Sequence, residues 1–102
     1  MSRLQQIQAM LAEEPKDPEL RYMLAMEFVS IGDDLAAVRA FEALLELAPK
    51  HAPAYHQAAR ALQRLIRIDE ARSMLQKGIP AAMAAGDSHA AGEMQGFMES
   101  LE

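Results

Sequence analysis

The stretch "LAPKHAPAYH" (Leu47–His56) repeats the punctuation of "EEPKDPELRY" (Glu13–Tyr22), and the shared Pro-Lys pairs begin at Pro15 and Pro49, 34 residues apart. Proline disfavours the helical conformation of the residue before it, and a second proline suits the first turn of a new helix. Each stretch is therefore a joint that ends one helix and opens another. A joint recurring at a fixed period confines the chain to stacked copies of one supersecondary unit. At 102 residues there is room for one small domain of that kind.

The segments between the joints carry helical periodicity. Ser2 and Gln5 form a capping box ahead of Leu4, Ile7, Met10 and Leu11. Pro18 opens a helix with Leu20, Leu24, Phe28 and Ile31 on one face, and Gly32 closes it. Asp33 or Asp34 caps the next helix, whose face runs Leu35, Val38, Phe41, Leu45. Pro53 starts a fourth helix with Tyr55, Ala58, Ala59, Leu62 and Leu65. Asp69 is the expected cap of a fifth, continued by Ala71, Met74, Leu75 and Ile79. Gly78 and Pro80 lie inside that fifth helix, so a bent, extended helix ending at Gly86 is expected. Asp87 or Ser88 caps the last helix, with Ala90, Met94, Phe97, Met98 and Leu101 as its stripe. Few aromatic or β-branched residues are present, which argues against a sheet. Short connections make neighbouring helices antiparallel.

A shift of 34 residues also superimposes Ala25 on Ala59, Ala37 on Ala71, Phe28 on Leu62, Phe41 on Leu75 and Ile7 on Phe41. The four alanines are expected where helices cross closely, with the larger residues filling the space between stacked pairs. The pattern resembles the tetratricopeptide repeat. The first full unit matches through Leu24, Ala25, Phe28, Ala37, Phe41 and Pro49, and departs at Arg21, where the family often has tryptophan. The second matches through Tyr55, Ala58, Ala59, Leu62, Ala71 and Leu75. It departs at Ile66, in place of the turn glycine, and at Met83, in place of the closing proline. The run Gly86-Asp87-x-His89-Ala90-x-x-Glu93-Met94 is similar to the tails of small stand-alone bacterial members. The resemblance implies an all-α right-handed superhelix of about two and a half antiparallel helix pairs. Residues 1–15 would be a half-unit, 18–51 and 52–85 full units, and 87–102 a capping helix that solvates the open end.

Charge and motifs narrow the function. Net charge is −5, against bulk binding of nucleic acid or of an anionic membrane. Residues 50–80 nevertheless carry net +4, between termini that are net −5 (1–49) and −4 (81–102). There is no cysteine, hence no disulfide, thiolate nucleophile or thiolate metal site. Neither a signal-peptide apolar region nor a membrane-length apolar run is visible, so a cytoplasmic protein is expected. No phosphate-binding, nucleophile-elbow or zinc-protease motif occurs. His89 and Glu93 share a helix face, but two ligands do not hold zinc. No enzyme, cofactor or metal is expected. The eight methionines are read mainly as core filling, with Met10, Met23, Met74, Met94 and Met98 on apolar stripes.

In the tetratricopeptide family the first helix of each unit lines a concave face. One-turn spacing then points to Tyr22, Met26 and Val29 as an apolar side, and to His56, Arg60 and Arg64 as a basic row. These six residues are the candidate partner-binding set, suited to a protein or peptide segment with an apolar anchor and an acidic end. The family's two-carboxylate clamp of lysines and asparagines is not reproduced by them. The competing reading packs Tyr22 and Met26 against the first and last helices and leaves the arginines solvated. A structural alternative is homo-oligomerisation through the same patch or through the Met94/Phe97/Met98 helix. A monomer or weak homodimer is expected.

Overall fold

The computed structural model describes residues 1–101, so Glu102, the last residue of the expected capping helix, lies outside the described residues. Six α-helices follow one another: α1 (Arg3–Glu13), α2 (Pro18–Ser30), α3 (Asp34–Leu47), α4 (Ala52–Arg64), α5 (Ile68–Ala84) and α6 (Ser88–Ser100). No strand occurs among the described residues. Each helix packs on the next in chain order, so the protein is an all-α helical repeat.

Short-range chemistry sets the helix starts. The Ser2/Gln5 capping box is complete in both directions. Asp17, Asp33 and Asp87 each accept a backbone N–H of the first turn. At α4 the cap is His51, whose Nδ1 accepts the N–H of Ala54 at 3.2 Å. Asp69 is not the cap of α5. That position belongs to Arg67, which makes no side-chain cap bond, and Asp69 lies in the first turn, paired with Arg72 at 3.2 Å. The carboxylate still favours the positive helix end without accepting a backbone bond.

The repeated proline joint has a repeated fastening. Tyr55 donates its hydroxyl to the Pro49 carbonyl at 2.7 Å, and Arg21 donates Nε to the Pro15 carbonyl at 2.8 Å. Each donor lies six residues after its proline. Arg21, the departure from the family's aromatic, thus holds its joint by different chemistry from Tyr55.

Helix ends are also alike. Gly32, Ile66 and Gly86 have positive φ of 82°, 60° and 77°. Beyond each, the next N–H reaches back five residues: Asp33 to Phe28, Arg67 to Leu62, Asp87 to Ala82, all at 2.9 Å. α5 continues as helix through Pro80 to Ala84, and Gly78 is buried.

The four crossing alanines, Ala25, Ala37, Ala59 and Ala71, are fully buried. The core forms two adjoining clusters. Ala25, Ala37, Phe41 and Leu44 centre one, Leu62, Leu75, Ala82 and Met94 the other, and Met74 packs on both. Two expectations are corrected. Phe28 is only half-buried, unlike Phe41, Leu62 and Leu75. Met10 is 42% exposed and fills no core, because α1 has only α2 as a substantial neighbour.

Candidate functional site

α4 contains no acidic residue, and its His56, Arg60 and Gln63 recur at one-turn spacing. Across from them α6 presents Glu93 and Phe97. These five side chains line one solvent-open cleft of about 270 Å³. The His56 and Phe97 rings lie 6.0 Å apart, tilted by 42°, and are its aromatic lining. A second cleft continues past His56 toward the start of both helices, with Pro53, Gln57 and Ala90 along it.

Burial, reinforced by the Arg60 guanidinium, holds His56 below the ordinary histidine range, while Glu93 pulls in the opposite direction. This favours the neutral form of the imidazole. Arg60 is exposed and has no carboxylate partner among the described residues. Glu93 contacts His89 at 3.3 Å, with both side chains more than half exposed. This is a solvated i, i+4 pair. Among the described residues no group of three metal-ligating side chains converges.

The six sequence candidates fall into three places. His56 and Arg60 share the cleft. Arg64 is engaged elsewhere: its Nε and Nη2 grip Asp34 at 2.9–3.1 Å, joining the end of α4 to the start of α3. Tyr22, Met26 and Val29 are half-buried on the α2/α3 core cluster. The Tyr22 ring lies 6.1 Å from that of Phe41 and 5.0 Å from that of His51, tilted to both, and burial together with Glu19 raises its phenol pKa. Its ring thus meets α3 and the proline joint.

Glu93 and Phe97 were missed as cleft residues. Phe97 reads in sequence as part of an apolar stripe, and Glu93 as half of a pair with His89. No local signal says that this flank of α6 meets α4. The rest of the stripe is used within the chain: Met94 is buried, and Phe97 and Met98 are half-buried against the core.

Six helices stacked in chain order, with alanine crossings and proline joints recurring, define a helical repeat protein. A tetratricopeptide repeat family model matches residues 18–51. A tetratricopeptide repeat domain protein of Salinibacter ruber is 32% identical, with a TM-score of 0.77 over 86% of this chain and 92% of that one. A protein of Bordetella parapertussis is 25% identical, with a TM-score of 0.82 over 97% and 86%. The type III secretion translocator chaperone SycD of Yersinia enterocolitica superimposes at a TM-score of 0.89 over 95% and 68%; at 15% identity this is likeness of fold alone. No curated protein matches the chain. The chain belongs to the tetratricopeptide repeat family. Domains of this family generally mediate protein–protein interaction. No helix among the described residues is long and apolar enough to cross a membrane.

Proposed function

We propose that this protein is a non-catalytic interaction module that takes a segment of a partner protein on the face formed by α2, α4 and α6. Residues 18–51 and 52–85 act as its full units, 1–15 as a half-unit and 87–102 as the cap. Arg60 anchors an acidic group of the partner, and the His56/Phe97 lining receives an apolar side chain. Tyr22, Met26 and Val29 extend the same face on α2 with their half-exposed edges.

The observation that carries this reading is the state of Arg60. It lines the cleft with the His56 and Phe97 rings on a helix without acids and has no carboxylate partner among the described residues, a state it shares with Arg39 on α3, while Arg3, Arg64, Arg67 and Arg72 are each held by a carboxylate of the same chain. A guanidinium left unpaired beside aromatic rings is suited to an external carboxylate. Arg64 enters as a brace, since its fork is filled by Asp34.

Affinity capture from native lysate, with wild type beside Arg60→Glu, tests this. The partner identified by mass spectrometry should be lost in the variant while the thermal midpoint stays unchanged, because the Arg60 side chain is exposed and makes no ion pair among the described residues. Equal retention in both lanes would remove Arg60 from the site.

A further inference from the structure

The cleft holds two opposite charges that do not meet. Arg60 and Glu93 line it together and both act on His56, yet no ion pair joins them. They stand on different helices with the His56/Phe97 lining in the same cleft. The rings that bridge the two helices, His56 on α4 and Phe97 on α6, lie 6.0 Å apart, and an extended chain advances about 3.3 Å per residue, so crossing from one side of the cleft to the other takes about two to three residues. The helices α2 and α6 carry exposed acids at Glu19, Glu93 and Glu99, while α4 carries none.

We infer that the partner segment crosses α4 and α6 in extended form, with an acidic residue on Arg60 and a basic residue about three positions away on Glu93. An apolar or aromatic side chain between the two lies over Phe97, and Gln63 is placed to meet the segment's backbone amide groups. This rests on the proposed partner-binding face and adds the partner's charge register. A uniformly acidic segment fits less well, because its second acid would face Glu93.

Two blocked hexapeptides serve as probes, Gly-Asp-Phe-Gly-Lys-Gly and Gly-Asp-Phe-Gly-Glu-Gly, acetylated and amidated so that only side chains carry charge. Each is titrated at low ionic strength into isotopically labelled protein, and amide shifts along α4 are followed. The wild type should bind the lysine peptide about two- to fivefold more tightly than the glutamate peptide, the scale of one exposed charge contact. Glu93→Lys should invert that preference, and Arg60→Glu should weaken both peptides. Equal affinities in the wild type, with Arg60 still required, would overturn the register and leave the binding face standing. Binding indifferent to Arg60→Glu, or no shift along α4 with either peptide, would overturn both.

Discussion

Ile66 holds a backbone conformation that β-branched residues avoid, at φ 60°, with its side chain 82% exposed. The helix end imposes this. Arg67 must return its N–H to the Leu62 carbonyl, and the chain can reach it only through a left-handed residue, as Gly32 and Gly86 do elsewhere. For a non-glycine residue that conformation costs about 1–2 kcal/mol, and an exposed side chain recovers little of it by packing. Ile66→Gly should therefore raise stability by about 1 kcal/mol. In urea unfolding the midpoint should rise with the slope unchanged. A lower midpoint would show that the isoleucine side chain makes contacts that outweigh its strain. Other residues serve by equivalent position more than by type: Arg21 and Tyr55 fasten the same joint, and Asp17 and His51 cap the same helix start.

At the scale of helices, α5 is held between α4 and α6 by a missing side chain. A Cβ at Gly78 would lie 2.7 Å from the Tyr55 Cβ and 2.8 Å from the Met94 sulfur. The methionine can move, but the tyrosine Cβ is fixed to the α4 backbone. Alanine is a better helix former than glycine by about 1 kcal/mol, whereas overpacking a close contact costs about 1–3 kcal/mol. The clash should win at Gly78→Ala, which is expected to lower the melting temperature. Gly92 and Gly96 have nothing within 4 Å of such a Cβ, so there propensity should win. Gly92→Ala and Gly96→Ala should each stabilise by up to about 1 kcal/mol. Thermal unfolding of the three variants separates the two effects by sign, and a stabilised Gly78→Ala would mean that α4 and α5 can part without loss.

Over the whole molecule, stability passes from each helix to the next, as in repeat proteins generally. The C-terminal end depends on α6, which brings Met94 (1% exposed) and Leu101 (7%) onto the second cluster. Arg72 adds a bond to the Leu101 carbonyl at 3.3 Å. Burial of each of the two large apolar side chains contributes about 1.5–3 kcal/mol, a large share of the net stability of so small a domain. A chain truncated after Gly86 should unfold several degrees lower and sediment as associated species, because the face under α6 is opened. A monomeric truncation with unchanged unfolding would show that the first five helices close their own core.

The helices, their caps and the alanine crossings are legible in the sequence because each depends on residues within a few positions or on the 34-residue repeat. Ser2 with Gln5, Pro18 behind Asp17, and the Ala25/Ala37 and Ala59/Ala71 pairs are of this kind. The site was legible by half. Helical spacing singled out His56 and Arg60, but it also put Arg64 in the same row, and Asp34 claims Arg64 from thirty residues away. Nor does spacing reveal that Glu93 and Phe97 come across to meet α4. The helix caps Asp17 and His51 are 34 residues apart, but His51 and Asp87 are 36 apart. Each extra residue in a helix rotates the rest of the chain by about 100°, so the strict repeat no longer tells which flank of α6 faces inward. Local chemistry in the sequence determined that this chain is a stack of helices and where each begins. Only the tertiary structure, by setting how α5 delivers α6 beside α4, decided which charges are spent inside the molecule and which are left open to a partner.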